Sequence, residues 1–339
     1  YADAHNNLGN VLKDLGHLDT AVSSFKNAID LKPGFADAFN NLGIALQDSG
    51  QLNDALKNFE KAITIKPDFS KAWHNHGYVL IKLKLRKEAL ESYERAISLN
   101  PNLDLLIGEH ENNKMYLIIW DDFEKNLNKI KNKVDDGEII ISPFWLTGLV
   151  DNPELHKKYT ETYTNNFYLK NNNLPEIGIY PNHKKIRIGY FSPDFREHPV
   201  SDLSAELYEL HDRNQFEIHA FSFGPDTQDH MNLRIKAGVD NFHDVRMMSH
   251  KDIALLARSL EIDIAIDLCG YTAHNRAEVF AMSAAPIQVS YLGFPSTMGS
   301  NFMDYIIADR TVIPEDKQVH YSEKIAYMPN CYMVNDSKI

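Results

Sequence analysis

Self-alignment of the chain at an offset of 34 residues places Gly9 on Gly43 and Gly77, and Ala21 on Ala55 and Ala89. The same shift carries Phe25 to Phe59 and Tyr93, Ala28 to Ala62 and Ala96, and Pro33 to Pro67 and Pro101. Each column has a physical task. Glycine lets two helices approach, the alanines fill a tight crossing, the aromatics plug the space toward the next unit, and proline ends the second helix. A unit such as ADAHNNLGNVLKDLGHLDTAVSSFKNAIDLKPGF therefore reads as two amphipathic helices with a turn near Gly16, Gly50 or Lys84. Such a pair cannot bury its apolar stripe alone. The units must stack into a solenoid, and that requirement dominates what residues 1–101 can become.

Period and columns are those of the tetratricopeptide repeat, in three copies over residues 1–101. Asn7, Asn41 and Asn75 recur on the first helix of each pair, the helix that lines the inside of such a superhelix. Helix interiors disfavour asparagine. An amide that donates and accepts at once can hold an extended peptide by its backbone, so these three residues are the candidate acceptor-peptide contacts. After Pro101 the columns fade, and residues 102–184 read as a degenerate capping repeat and helical linker that ends in the polar NNNLPEIGIYPNHKK.

From residue 185 the pattern changes to apolar strands separated by amphipathic helices, beginning KIRIGYFS, SDLSAELYELH and FEIHAFSF. That alternation predicts a mostly parallel sheet covered on both faces, a Rossmann-like lobe over 185–339. The fold class is thus α plus α/β. Ligands of such sheets sit at the carboxyl ends of the strands. There the chain carries SPDFREHPVSD, GYTAHNR and GFPSTMGS. His198, in a loop before proline and able to hold or release a proton near neutral pH, is the candidate catalytic residue.

The formal charge of −12 argues against an electrostatic grip on nucleic acid. No apolar run is long enough for a membrane-spanning helix. Cys269 and Cys331 form no CxxC, and they fit reduced thiols in a cytoplasmic chain. The sequence has no HExxH, no GxGxxG, no GxSxG and no P-loop, so no metal, nicotinamide or NTPase site is expected.

The asparagine-bearing repeats, followed by DFREHPVSDL, DLCGYTAHNR, APIQVSYLGFPSTMGS, MDYIIAD and YSEKIAYMP, resemble the O-linked N-acetylglucosamine transferase family, including its bacterial and SPINDLY-like members. The resemblance implies a repeat superhelix joined to a two-lobed GT-B glycosyltransferase. It implies inverting transfer of N-acetylglucosamine from UDP-GlcNAc to Ser or Thr hydroxyls of proteins, with no obligatory metal or cofactor. Fucose or another sugar on the same hydroxyls, or a non-catalytic scaffold for partner proteins, are the alternatives. On this resemblance His198 is the active-site histidine, beside acceptor and sugar. Tyr271, Thr272, Gly293, Pro295, Thr297 and Gly299 shape the sugar and diphosphate side of the cleft. Asn7, Asn41 and Asn75 hold the acceptor polypeptide. Animal members have a second histidine where this chain has Asp202. The expected partners are acceptor proteins in the repeat groove and the C-terminal lobe of the same protein, missing from this chain; a homo-oligomer is a further expectation. Such a fragment is expected to have little activity unaided.

Overall fold

The structure is a computed structural model that describes all residues except 104, 169–173, 179, 181, 182 and 339. The segment NNNLPEIGIYPNHKK, read as a boundary, lies partly outside the described residues. The chain divides into two compact units, Tyr1–Trp145 and Leu146–Ile339.

The first unit is built from α1 (Ala2–Asp14), α2 (Leu18–Leu31), α3 (Ala36–Asp48), α4 (Leu52–Ile65), α5 (Ser70–Lys82) and α6 (Arg86–Leu99). Within each pair the glycine column faces the aromatic column: a Cβ on Gly43 would lie 2.6 Å from the Phe59 ring, so the helices close to a distance only glycine permits. Phe25, Phe59 and all six column alanines are fully buried. The turns need a left-handed residue. Gly16 (φ 82°) and Gly50 (φ 76°) supply it, and the third repeat puts Lys84 there at φ 65°.

α7 (Leu106–Tyr116) and α8 (Phe123–Asp135) keep the same register. Leu106, Leu127 and Ile130 stand 34 positions after Ala72, Tyr93 and Ala96, and all are buried. The glycine column, however, arrives at Glu111. Its side chain is buried, and its carboxylate accepts from Asn126 Nδ2 at 2.9 Å. The chain at 139–141 packs on α7 instead. Gly108 N–H donates to the Ile140 carbonyl, and a Cβ on Gly108 would strike Ile141 at 2.5 Å.

α9 (Pro143–Leu149) spans the division between the units. The second unit opens with α10 (Pro153–Phe167), followed by a seven-stranded sheet. Its strands are β1 (Ile186–Ser192), β2 (Phe216–Ser222), β3 (Asn241–Asp244), β4 (Ile264–Asp267), β5 (Ile287–Ser290), β6 (Tyr305–Ala308) and β7 (Lys324–Tyr327). They are all parallel, in the order β3-β2-β1-β4-β5-β6-β7. The Rossmann-like expectation holds. Crossover helices include α11 (Pro199–Leu210), α12 (His230–Gly238), α13 (His250–Ser259) and α14 (Ala277–Ala281). The strand order reverses between β1 and β4, and that switch point is where open α/β sheets form a crevice at their carboxyl ends. A core of Ile188, Tyr190, Ile218, Ala220, Ile266 and Val289, with Ala205 and Tyr208 of α11, fixes one face of the sheet beneath it.

Candidate functional site

His198 sits where β1 gives way to α11. Pro199 at the first helical position has no N–H to leave unpaired, and it forces the preceding residue to extended backbone, observed as φ −164° and ψ 145°. That is the geometry of a helix N-cap, and the imidazole performs the capping: Nδ1 accepts from Val200 N–H at 3.3 Å. The Asp194 carboxylate lies 3.7 Å from the same nitrogen. A neutral ring that accepts at Nδ1 carries its proton on Nε2. It can donate to a ligand from there, on a side chain that is 34% exposed. Asp194 is held by Arg196 Nη2 at 3.1 Å, and Asp202, in the first turn of α11, donates its N–H back to the His198 carbonyl at 2.9 Å.

At the end of β4, Asp267 is buried and turns its carboxylate onto the following loop, accepting from Cys269 N–H at 2.9 Å and Gly270 N–H at 3.1 Å. Loss of solvent pushes its pKa up to about 6, against the pull of those two N–H groups. The loop continues through Tyr271, Thr272 and His274. Tyr271 is buried, whereas Thr272 is half-buried, its hydroxyl 2.9 Å from Cys269 Sγ. Arg276 gives two donors to the Met248 and Arg246 carbonyls, which ties this loop to the one after β3.

The loop after β5 begins with a strained turn. Gly293 N–H donates to the Tyr291 carbonyl at 2.9 Å across Leu292, whose φ is 68°. This is the γ-turn of the rare hand, costly for a residue with a Cβ. Gly293 is then pressed against the backbone that follows β4, since an added Cβ would strike the Leu268 carbonyl oxygen. Pro295 is exposed. Thr297 is buried and accepts from Gly299 N–H and Ser322 N–H, each at 3.1 Å, while donating to Glu323 Oε2 at 2.7 Å. Gly299 (φ 57°) lies so close to Thr160 and Glu161 of α10 that a Cβ there would meet Glu161 N at 2.4 Å. Thr164 Oγ1 and Tyr271 Oη stand 2.5 Å apart, and both reach the Met298 carbonyl, at 2.8 and 2.9 Å.

The rims after β4 and β5 are thus one cross-linked structure. The rim after β1 joins it through the adjoining strand ends, where Leu268 N–H donates to the Phe191 carbonyl at 3.1 Å. Of the residues proposed for the sugar and diphosphate side, Pro295 is exposed and Thr272 and Gly293 are half-buried, whereas Tyr271, Thr297 and Gly299 are buried in the scaffold. Glu323, Thr164 and Leu292 were not singled out from sequence. Glu323 stands in YSEKIAYMP and Leu292 in YLGFPSTMGS, but only the tertiary structure shows what either touches. No three His, Cys, Asp or Glu side chains group as metal ligands among the described residues.

In the repeat unit the asparagines bond across neighbouring first helices. Asn41 Nδ2 donates to Asn6 Oδ1 at 3.0 Å, and Asn75 Nδ2 to Asn40 Oδ1 at 2.9 Å. The relay continues one step further as His74 Nε2 to Glu109 Oε2 at 2.8 Å, with Glu109 standing 34 positions after Asn75. Asn7 is exposed. Sequence reading found the column of acceptors-and-donors but missed its partner column one position earlier, Asn6 and Asn40 in the doubled asparagines of HNNLGN and FNNLGI and His74 in WHNHGY.

Residues 166–339, just over half of the chain, match glycosyl transferase family 41. The chain belongs to that family. Tetratricopeptide repeats match at 9–50, 36–69 and 70–103. Among curated proteins, the probable UDP-N-acetylglucosamine–peptide N-acetylglucosaminyltransferase SEC of Arabidopsis thaliana is 41% identical over 155 residues, 46% of this chain and 16% of that protein. The UDP-N-acetylglucosamine–peptide N-acetylglucosaminyltransferase of Caenorhabditis elegans is 38% identical over 158 residues, 46% of this chain and 14% of its own length. A probable SPINDLY transferase of Arabidopsis thaliana is 32% identical over 155 residues, covering 44% and 17%. The matched stretch is therefore a small part of each relative. A solved variant of the Thermobaculum terrenum O-GlcNAc transferase aligns with a TM-score of 0.59 at 21% identity, over 98% of this chain and 58% of that one, a likeness of fold. In this family-41 lobe the three rims lie at the sheet's switch point, and a nucleotide-sugar donor is the substrate class that the family uses.

Proposed function

We propose that the chain carries the acceptor-binding repeats and one catalytic lobe of a protein O-glycosyltransferase that moves N-acetylglucosamine from UDP-GlcNAc to Ser or Thr hydroxyls with inversion. The acceptor oxygen bonds to the anomeric carbon on the face opposite the diphosphate. The bond from that carbon to the diphosphate oxygen breaks, UDP departs with the electron pair, and the hydroxyl proton passes to the departing diphosphate or to solvent water. The observation that carries the reading is His198, a partly exposed imidazole fixed at the switch-point crevice by its own helix cap. Its Nε2–H donates to the acceptor hydroxyl or to the sugar and so fixes the angle of attack. The Nδ1 lone pair is already used, so His198 orients the acceptor and does not remove its proton from that nitrogen.

Pro295 and Thr272 form the surface that the sugar and diphosphate meet, while Tyr271, Gly293, Thr297 and Gly299 hold the backbone that presents it. Stabilising the leaving diphosphate takes donors from a facing Rossmann-like lobe, the C-terminal lobe of a GT-B enzyme. Asn7, Asn41 and Asn75 lie on the first helices, where the free acceptor and donor sites that remain after the repeat-to-repeat bonds hold the acceptor backbone. Free thiols at buried Cys269 and exposed Cys331 suit a cytoplasmic setting. No helix among the described residues is long and apolar enough to cross a membrane.

The test is transfer by the full-length protein with His198→Ala. A fall in kcat/KM of about tenfold or more, with the lobe still folded, supports the assignment. Unchanged transfer removes His198 from the site.

A further inference from the structure

We infer that Glu323 and Thr297 are positioning residues for sugar transfer, clamping the rim after β5 so that its exposed edge keeps one geometry during the reaction. The inference rests on the glycosyltransferase reading of the crevice.

Glu323 lies just before β7, two strands from the rim it holds. Its side chain is buried, at 5% exposure, and among the described residues no cation pairs with it. Oε2 accepts from Thr297 Oγ1 at 2.7 Å, and Oε1 accepts from Met298 N–H at 2.6 Å. Thr297 Oγ1 already accepts from two N–H groups, of Gly299 and Ser322, so its own proton must point at an acceptor. Only a carboxylate satisfies both donors. The amide of glutamine would have to turn its NH2 toward a hydroxyl whose lone pairs are taken, or toward an N–H. On the other side, the Met298 carbonyl is held by Thr164 of α10 and Tyr271 of the β4 loop. The backbone N–H and carbonyl of Met298, in two successive peptide units, are therefore gripped from three elements.

A buried carboxylate without a cation is a costly way to fill space, and burial pushes the Glu323 pKa up against the pull of Thr297 and Met298. An apolar side chain of similar size would avoid that cost but would leave the buried Thr297 hydroxyl and Met298 N–H without their acceptor. What the carboxylate adds is a rim held in place at Thr297, five residues beyond the strained turn at Leu292 and two beyond exposed Pro295. Displacements of about 1 Å at a site of bond formation can lower rates on the order of a hundredfold.

The experiment compares Glu323→Gln, Thr297→Val, Thr297→Ser and the Glu323→Gln/Thr297→Val double variant in the full-length protein. Transfer kinetics are paired with hydrogen exchange of the 294–300 amides. The clamp predicts that E323Q and T297V each lower kcat by about tenfold, with the donor KM held within about threefold. T297S retains wild-type kcat, and the double variant is no worse than the poorer single, because the two residues act as one unit. Amides of Met298 and Gly299 exchange faster in E323Q and T297V. If E323Q does not fold, the T297V and T297S pair carries the same comparison. Wild-type kcat in T297V and E323Q alongside faster exchange overturns the positioning role. Absence of transfer from any donor by the wild-type enzyme instead removes the glycosyltransferase reading, and the positioning role with it, while the exchange data still report whether the clamp forms.

Discussion

Asp267 makes the stability of the second unit depend on pH in a direction opposite to that of an ordinary salt-bridged carboxylate. Its carboxyl is buried at the end of β4, and burial raises its pKa from 3.8 to about 6. Because the folded value lies above the unfolded one, the folded state binds the proton more tightly. The contribution to stability is fully present below pH 3.8 and is lost as pH rises through about 6. A rise from 3.8 to about 6 corresponds to roughly 3 kcal/mol across that window. Asp267→Asn removes the titration. It also replaces one acceptor by an NH2 facing Gly270 N–H, which costs about 1–3 kcal/mol at every pH. The slope, not the absolute value, is thus the readout. Trp73, Trp120 and Trp145 all fall in the first unit, so fluorescence does not report on the sheet. Urea unfolding should instead be followed by hydrogen exchange of the β4 and β5 segments between pH 4 and 8. Wild-type stability is predicted to fall relative to Asp267→Asn by roughly 3 kcal/mol over this range. Parallel profiles, or an Asp267 13Cγ titration centred near 4, would refute the argument that desolvation outweighs the two N–H bonds.

Three further outcomes follow from backbone geometry. Lys84 holds the left-handed turn position that glycine fills in the first two repeats, so Lys84→Gly should stabilise the repeat unit by about 1 kcal/mol, read as a higher tryptophan-monitored urea midpoint. Gly43→Ala puts a methyl 2.6 Å from the Phe59 ring and should destabilise the repeat unit by about 1–3 kcal/mol, read as a lower urea midpoint, with Phe59 forced from its position in the helix crossing. At Leu292 the usual order reverses: Leu292→Gly should leave the sheet unit about 1 kcal/mol more stable than Leu292→Ala, since both lose the side chain and only glycine is free of the positive-φ cost. Equal stability of the two would mean that the turn is not strained.

Much of this architecture was legible in the sequence because it rests on short periods. The 34-residue columns report contacts made identically in every repeat, and Gly43 against Phe59 is the contact they encode. The strand pattern gave the parallel sheet, and parallel sheets place ligand loops at one end, which made the three rims readable as the candidate site. Side-chain partners were not legible in the same way. Thr297 looked like a small hydroxyl beside glycines, suited to touch an oxygen-rich ligand; its partner Glu323 arrives from two strands away, and no local pattern announces that pairing. The asparagine column was visible, but bonding from Asn41 back to Asn6 depends on the step between adjacent first helices, which periodicity alone leaves open. The strain at Leu292 was hidden for a different reason: glycine follows it, and a reader places the unusual backbone on the glycine.

The central claim is that the crevice transfers a sugar from a nucleotide to protein hydroxyls, and mass spectrometry of Ser/Thr peptides incubated with the full-length protein and separate nucleotide sugars tests it most directly. The account predicts N-acetylglucosamine added to a Ser or Thr side chain from UDP-GlcNAc, with the β-linkage that inversion requires and with loss of the product in His198→Ala. Transfer of fucose alone would correct the donor. Folded protein that modifies no peptide with any donor would contradict the account.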